Sequence, residues 1–424
     1  MRPAERAVLV SIVLIVAAAA RVAFVVGADV PRALCVDSAE YAQYAHNLVE
    51  HGVYSMSKDP APLPDSFRSP GFPLFLACCR LVGGESGWFD LARWLQVVLS
   101  TLTVLFSFRL ARQFVSFAPA VLGSVFVALS PHVVVTTGFV LTECLAAFVV
   151  TCGLWLLVGS RSKKRDVVGA LVLGFAPLCN ETMVFLPVVA GFVLWRQDRR
   201  RAITVFALAM LPFVLWNVRN QTTELARRGS ERATASISHG SYPGMVYEDE
   251  KLFGFPYRED PAQPEFGSSW CNLAKVLWPR VQAEPLRYLK WYAFDKPVWL
   301  WSWPLVQGRD IYVYPLSKSP YDRQAVMKAS YALMHWLHVP VMLLALLGAC
   351  YGILRGRREQ SWAPQALGWV AVLGTLAYLP VIPDPRYLQP IRPVLFVLAG
   401  AAVPMIVAWL RRRAAPAPLA AAVE

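Results

Sequence analysis

Charged residues are scarce in this 424-residue chain: they make up 16% of it, against 56% hydrophobic residues, and the mean hydropathy is +0.43. These values exclude an ordinary soluble globular domain and indicate a polytopic membrane protein. Acidic residues are also few, 28 against 41 lysines and arginines. Because most of the basic residues border apolar runs, we attribute the net charge of +13 to membrane topology and expect no nucleic-acid partner.

Cysteine and histidine lack the patterns of a structural site. The eight cysteines include no Cys-x-x-Cys pair, and several lie inside apolar runs, which argues against a disulfide framework or a cysteine zinc site. His46 and His51 are five positions apart on one predicted helix, a spacing that is wrong for a chelating pair. We therefore predict no zinc site at that pair.

Long apolar runs dominate the chain. Ten of them approach the length of about 20 residues that a transmembrane helix needs, so we predict an all-α polytopic membrane protein. The runs are residues 7–27, 90–108, 115–132, 140–159, 167–179, 182–195, 202–219, 327–353, 363–382 and 391–410. The first is too long for a typical signal peptide and lacks a clear cleavage site, so we expect a retained helix. The two short runs within 167–195 are either two tilted helices or one bent element.

Basic residues indicate which side of the membrane each loop faces. With ten spans, six basic clusters fall on one face, at residues 2–6, 109–112, 161–165, 196–201, 355–358 and 411–413. The opposite short loops carry a single basic residue, Arg386. By the positive-inside rule both termini lie in the cytoplasm. Arg386 then lies on the outer face, where topology does not require a positive charge, and binding of an anion is the favoured explanation.

This topology divides the chain into four parts. They are an N-terminal transmembrane module (1–219) that includes an outer loop (28–89), an outer interfacial segment (220–326), C-terminal transmembrane helices (327–410) and a cytoplasmic tail (411–424). The tryptophans and tyrosines of residues 291–303 are typical of a segment at the membrane interface.

The outer loop after the first apolar run holds a candidate acid. Asp37 and Glu40 open a stretch in which apolar residues recur at helical spacing from Tyr41 to Val49, which predicts an amphipathic helix along the membrane surface. Asp37 either caps this helix, with Glu40 completing a capping box, or has a chemical role. Two prolines and a glycine follow Arg68 and predict a turn, in which Arg68 is either an interfacial cation or a functional residue.

Six short motifs follow one another along the chain. They are Asp37 directly after the first span, Gly52-Val53-Tyr54-Ser55, Arg68-Ser69-Pro70-Gly71-Phe72-Pro73, Thr142-Glu143, Trp216-Asn217-Val218-Arg219-Asn220 and Pro385-Arg386-Tyr387-Leu388-Gln389-Pro390. In this order they resemble the GT-C glycosyltransferases, in particular the protein-mannosyltransferase and aminoarabinose-transferase type. The resemblance extends over roughly residues 7–410, although residues 225–285 match no part of it.

The resemblance implies an enzyme that takes a sugar from a polyprenyl-phosphate donor and passes it to a lipid, glycan or protein acceptor on the outer face. It implies that Asp37 is the general base for the acceptor hydroxyl, and that Arg386 and Arg68 bind the donor phosphate and stabilise it as it leaves. The alternatives for Arg386 are a salt bridge to Asp384 and a capping role beside Pro390. The family often has Asp-Glu where this chain has Asp37-Ser38, which puts a second carboxylate or a metal-binding role in doubt.

Seven further residues are candidates to line the same cavity: Glu40, Tyr41, Glu143, Glu181, Arg219, Lys296 and Tyr387. An acid near the end of a spanning helix, such as Glu143, is often functional, but a helix N-terminus would also stabilise it. Arg219 and Lys296 either add positive charge to the cavity or anchor the chain at the interface. These residues require no cofactor; a divalent metal ion held partly by Asp37 is an open alternative.

Two other functions compete with glycosyl transfer. A transporter or flippase tends to place ionisable residues at mid-membrane and to show inverted repeats, whereas here the acids and Arg386 gather at outer helix ends and no repeat is visible. An enzyme like the O-antigen ligases would also use outer arginines, but the acid directly after the first span disfavours it. We expect a multi-pass protein of the plasma or inner membrane, with membrane lipids and the lipid donor as partners.

Overall fold

The computed structural model describes residues 1–160, 162–223, 227–245, 260, 262–358 and 362–414. In these residues the chain is helical, with two isolated β-bridges and no strand. Five helices are long and apolar enough to cross a membrane, and three shorter apolar helices accompany them. The predicted all-α membrane architecture is confirmed, and the count of ten spans stays a prediction.

Nineteen α-helices are numbered here in chain order, as counted in the described residues. They are α1 (Pro3–Gly27), α2 (Asp37–Glu50), α3 (Gly71–Ala111), α4 (Phe117–Leu129), α5 (Pro131–Val135), α6 (Thr142–Leu157), α7 (Lys163–Gly174), α8 (Ala176–Cys179), α9 (Phe185–Trp195), α10 (Arg199–Gln221), α11 (Arg227–Ser241), α12 (Gln263–Phe266), α13 (Trp270–Ala283), α14 (Pro285–Lys290), α15 (Lys296–Leu300), α16 (Pro320–Arg323), α17 (Ala325–Arg358), α18 (Trp362–Tyr378) and α19 (Arg392–Ala414). Three 3₁₀ segments, Glu181–Val184, Pro243–Met245 and Pro385–Ile391, and a π-helical turn, Trp291–Asp295, complete the described helices.

Helical structure begins earlier in the outer loop than the sequence pattern predicts. Helix α3 begins at Gly71, not near residue 90, and breaks at Gly84, where φ is +66°. Pro70 stands at the N-cap and Pro73 in the first turn, where a helix does not need a backbone N–H and tolerates proline. The prolines that were interpreted as a turn therefore start a helix.

Residues 167–195 form two arms that run in opposite directions rather than one bent element. The first arm is α7 with the short α8, and the second is the 3₁₀ segment Glu181–Val184 with α9. Asp166 of α7 pairs with Arg201 of α10 at 2.8 Å, and Gly174 of α7 lies against the backbone of Ala209 of α10, so α7 and α10 run in the same direction. Helix α9 connects to α10 by a short turn and packs back on it. The two arms meet at Asn180, whose side chain caps the 3₁₀ segment that follows.

Small residues bring the apolar helices close together. A Cβ atom on Gly400 of α19 would lie 2.5 Å from the carbonyl oxygen of Pro119 in α4, and Gly123 of α4 lies against the backbone of α19. Such contacts let helix backbones approach inside a membrane, where packing replaces the hydrophobic effect as the driving force. Helices α3, α4, α6 and α19 thereby form a compact base beneath the outer segments.

The segment between α10 and α17 packs against α18. Trp301 donates its indole N–H to the hydroxyl of Thr375 at 2.9 Å. Trp291 and Trp303 are buried, so part of the aromatic stretch assigned to the membrane interface packs inside the protein. Residues 224–226, 246–259 and 261 of this segment, and 415–424 of the predicted tail, lie outside the described residues.

Candidate active site

Helix α2 forms as the apolar spacing predicts, but Asp37 does not cap it. The N-cap position is Val36, and no side chain makes the capping hydrogen bond. The hydroxyl of Ser38 instead accepts the N–H of Cys35 at 2.9 Å, and the hydroxyl of Tyr314 contacts the N–H of Ser38 at 3.3 Å. The capping-box alternative is therefore wrong, and the carboxylate of Asp37 is free for other partners.

Val36, directly before this acid, has a strained backbone. Its φ of +45° and ψ of −120° belong to a region that only glycine adopts easily, and a β-branched residue there costs about 1–3 kcal/mol. We expect Val36→Gly to raise the stability of the protein by about 1 kcal/mol, measured by thermal unfolding in detergent. Val36→Ala keeps a Cβ and should gain less. A loss of stability in Val36→Gly would show that the strain is not present.

Asp37 lies between two arginines from distant parts of the chain. Its Oδ1 accepts from Nη2 of Arg68 at 2.6 Å, and its Oδ2 accepts from Nη2 of Arg386 at 3.0 Å. Nε of Arg68 donates to Glu40 at 2.5 Å, and Nε of Arg386 donates to Glu143. These five residues, here called the Asp37 network, unite α2, the N-terminal side of α3, the start of α6 and the 3₁₀ segment before α19.

Each of the two arginines has a guanidinium nitrogen that the network does not use. Each uses Nε for one carboxylate and Nη2 for Asp37, and Nη1 of each has no hydrogen-bond partner among the residues that the structure describes. The side chain of Asp37 is 20% exposed and that of Arg68 15%, so the network borders solvent. An anion can therefore reach the guanidinium group of Arg68. The side chain of Arg386, 8% exposed, lies on the other side of Asp37, and carboxylates already hold both arginines in place.

The charge environment fixes the protonation of Asp37. Burial alone would raise its pKa, but the guanidinium groups of Arg386 and Arg68 outweigh burial and lower the pKa from 3.8 to about 2. Its ionisation therefore contributes stability that is complete above about pH 4 and is lost as the pH falls towards 2. Burial tends to lower the pKa of Arg68, but its acidic neighbours and Tyr41 raise it overall, so that guanidinium stays charged.

Asp384 shapes the loop that carries Arg386. Its Oδ1 accepts the backbone N–H of Arg386 at 2.8 Å, and its Oδ2 accepts the backbone N–H of Gln307 at 2.6 Å. Asp384 is thus the cap of the 3₁₀ segment Pro385–Ile391. The predicted alternative of a salt bridge between the two side chains is wrong, because both oxygens of this acid serve backbone groups.

Tyr41 and Glu181 stand at the edge of the network. Tyr41 packs edge-on against Phe72, and its ring lies 5.5 Å from the guanidinium carbon of Arg68. Glu181 accepts from the hydroxyl of Ser69 at 3.0 Å and pairs with Arg232 at 3.2 Å. Glu181 therefore adjoins the network through the residue after Arg68 without joining it.

Arg219 and Tyr387 support neighbouring loops. The guanidinium of Arg219 lies over the rings of Trp216 and Tyr54, at 4.8 and 5.4 Å, and donates to the carbonyl of Asp65. The ring of Tyr387 stacks on Tyr378 at 5.4 Å. Neither side chain contacts the carboxylate of Asp37 in the described residues. Arg219 stabilises the second half of the outer loop, a role that the sequence pattern does not indicate.

Lys296 neither lines the network nor anchors the chain at the interface. It is fully buried, and its Nζ donates to the carbonyls of Leu379 at 2.6 Å and Val381 at 3.0 Å, while it lies 4.3 Å from the ring centre of Tyr292. These carbonyls follow the end of α18, where helix carbonyls lack intrahelical partners. Lys296 thus holds the segment that leads to Arg386.

Burial lowers the pKa of Lys296 to about 7, so the ammonium group is charged below pH 7 and neutral above it. Because a neutral amine holds the two carbonyls less firmly, we expect donor binding to weaken several-fold between pH 6 and pH 8.5. Lys296→Arg stays charged throughout and should remove this pH dependence, whereas Lys296→Met should bind weakly at both pH values. The same pH profile in Lys296→Arg would contradict this role. The measurement is the dissociation constant of the lipid donor.

One group of possible metal ligands lies outside the network. His46, Glu50 and Glu85 each offer a ligand atom, and the three atoms lie within 4.8 Å of one another. Arg80 already contacts both Nδ1 of His46, at 3.0 Å, and the carboxylate of Glu85. The cation that this group holds is therefore an arginine, and the acids of the Asp37 network are likewise paired with arginines.

A small cavity adjoins the network, and no sequence motif pointed to it. Arg386 and Glu143 line it together with His132, Leu305 and Ile311. His132 and Leu305 come from segments that the sequence pattern assigns to a membrane span and to the outer interfacial segment. Only the folded chain brings them beside Arg386.

Comparison with known proteins gives the fold an independent reference. Residues 67–220 match the family model of the dolichyl-phosphate-mannose-protein mannosyltransferases, which is less than half of the chain. No curated protein matches. Among solved structures, the chain is similar to the oligosaccharyltransferase of Archaeoglobus fulgidus tethered with an acceptor peptide, with a TM-score of 0.51 and 13% identity over 98% of this chain and 51% of that chain. It is also similar to ArnT of Cupriavidus metallidurans bound to undecaprenyl phosphate, with a TM-score of 0.40 and 16% identity over 97% and 80% of the two chains.

The match to the family model and the fold shared with the oligosaccharyltransferase confirm the resemblance that the motifs indicated. The matched family is described as mannosyltransferases, and the solved structure is that of an oligosaccharyltransferase. The chain spans about half the length of the oligosaccharyltransferase. At 13% identity that structure establishes the fold alone, so activity, substrates and partners follow from the site.

Proposed function

We propose that this chain is a membrane glycosyltransferase that moves a sugar from a polyprenyl-phosphate donor to an acceptor on the extracytoplasmic face. The observation that carries the proposal is the position of Asp37 between Arg68 and Arg386, on a helix that follows the first span. A carboxylate and two fixed cations are the groups that this displacement needs. The matched mannosyltransferase family, named for a dolichyl-phosphate sugar, supports the donor class.

The chemistry assigns one role to each charge. The acceptor oxygen attacks the anomeric carbon of the donor, and the bond between that carbon and the phosphate oxygen breaks. The phosphate leaves with the bonding electrons as a polyprenyl phosphate, and Arg386 and Arg68 stabilise its charge through their unpaired Nη1 groups. Asp37 takes the proton that the acceptor hydroxyl loses.

Donor binding would also activate the base. Without a donor the two arginines hold Asp37 and lower its pKa to about 2, which makes it a weak base. A phosphate that binds the same guanidinium groups adds negative charge beside Asp37 and weakens their hold on it. The pKa of Asp37 would then rise toward its ordinary value when the substrate is in place.

The distribution of basic residues supports the proposed orientation. Both termini would lie in the cytoplasm, and the Asp37 network would face the outside of the plasma or inner membrane. The outer interfacial segment (220–326) would cover the site, because Gln307 from this segment already contacts the loop of Arg386. A lipid-borne phosphate lies at headgroup depth, where the network borders solvent. A lipid, glycan or protein could serve as acceptor there, and these steps do not require a cofactor.

A proteoliposome assay distinguishes this enzyme from a flippase. The purified chain is reconstituted with undecaprenyl-phosphate mannose that carries a label in the sugar, together with extracted envelope lipids and peptides as acceptors. We expect the label to move to a new molecule. Label that crosses the bilayer but stays on its original lipid would support a flippase and contradict the proposal.

A further inference from the structure

The cavity beside Arg386 is small and mostly apolar. About 10 Å³ is open within it, close to the least space that holds one water-sized group. Leu305, Ile311 and Val313 form apolar parts of its wall. It therefore fits a single small substituent rather than a whole sugar ring.

Three buried acceptor atoms on its polar wall have no partner in the described residues. They are Nδ1 of His132, Oε2 of Glu143 and Oε1 of Gln389, on residues that are 0%, 6% and 4% exposed. Nε2 of His132 lies 2.7 Å from the carbonyl oxygen of Trp303. Because a carbonyl only accepts, Nε2 carries the proton, and Nδ1 of the neutral ring is an acceptor.

These three atoms can accept hydrogen bonds from a ligand that carries donors. Buried polar atoms are nearly always paired in folded proteins, and leaving one unpaired is costly. A group that brings hydrogen-bond donors into the cavity would satisfy these atoms.

We propose that this cavity is a subsite for a hydroxyl or amino substituent of the transferred sugar, with His132, Glu143 and Gln389 as acceptors. The inference rests on the proposed function, in which Arg386 binds the donor phosphate. Because Arg386 lines the same cavity, a group that enters it belongs to the sugar next to that phosphate. The subsite selects sugars that place a hydroxyl or amino group there.

The test measures whether the effect of removing one sugar hydroxyl on donor affinity depends on one side chain of the cavity. The full chain in detergent is titrated with undecaprenyl-phosphate mannose, glucose and galactose and with their singly deoxygenated analogues. In the wild type, removal of one particular hydroxyl should weaken binding about tenfold. Gln389→Leu should also weaken binding of the parent donor about tenfold. In this variant, removal of the same hydroxyl should cause no further loss of affinity. Val313→Ile, which fills the cavity without removing a polar group, should give the same loss of dependence.

Each outcome is decisive. If every deoxygenated donor weakens binding to the wild type and to both variants by the same factor, the cavity holds only water and the inference is wrong. Sugar transfer is measured in the same samples. If sugar is transferred but the effect of removing a hydroxyl does not depend on Gln389, the proposed function stands and the subsite is wrong. If that effect does depend on Gln389 but no sugar is transferred, the subsite stands and the proposed function is wrong. If no donor binds, both fail.

Discussion

Arg386→Ala should raise the dissociation constant of the lipid donor by about 100-fold, because removing a charge-assisted contact to phosphate from a partly buried site costs about 2–3 kcal/mol. The variant should also lose about 3 kcal/mol of stability, since Glu143 is buried and would lose its partner. The donor affinity is measured by titration with undecaprenyl-phosphate mannose, and the stability by thermal unfolding.

Two controls separate binding from folding. Arg386→Ala combined with Glu143→Gln removes the unpaired buried charge, so we expect stability to recover while donor binding stays weak. Arg80→Ala removes another buried arginine that holds a carboxylate, Glu85, away from the network, and should leave donor affinity unchanged. If the double variant binds the donor as the wild type does, Arg386 has a structural role only.

Asp37→Asn should reduce sugar transfer by about 10²–10⁴-fold, the usual contribution of a positioned general base. Asparagine has nearly the same shape as aspartate but does not take a proton at neutral pH. Because the substitution frees Arg68 and Arg386 from a competing carboxylate, the donor should bind at least as tightly as in the wild type. The measurements are the rate of labelled sugar transfer and the donor dissociation constant.

Glu40→Gln is the matched control for this acid. Glu40 contacts Arg68 from the next turn of the same helix but does not touch Arg386 in the described residues, so we expect only a few-fold loss of rate. An Asp37→Asn variant that keeps more than a tenth of the wild-type rate would remove Asp37 as the base. An equal loss in Glu40→Gln would show that the arginine positions matter more than the base.

The residues of the site were foreseeable because the charges stand out in an apolar chain. Asp37, Arg68 and Arg386 are ionisable groups beside apolar runs, on the side that the basic residues predict to be outer, and the order of their motifs resembles one enzyme class. The structure brings all three together with Glu40 and Glu143. The proton and phosphate roles of these residues stay predictions.

The partners of each charge could not be predicted in the same way. Lys296 donates hydrogen bonds to backbone carbonyls that lie more than 80 residues away in the chain. Because every residue has a backbone carbonyl, the sequence does not indicate which ones a lysine contacts. The start of α3 was missed because a proline marks both turns and helix N-termini. The cavity beside Arg386 depends on how His132 and Gln389 pack in the folded chain. The spacing of apolar residues in the sequence does not predict this packing.

The most direct test of the account is the stoichiometry of the reaction with the purified chain. Undecaprenyl-phosphate mannose, labelled in both the sugar and the lipid, is supplied in proteoliposomes with an envelope acceptor extract and no other protein. The account predicts that one lipid phosphate is released for each sugar transferred, and that Asp37→Asn binds the donor but releases almost none. Lipid phosphate released at the same rate by both proteins, or donor that stays intact with the wild type, would contradict it.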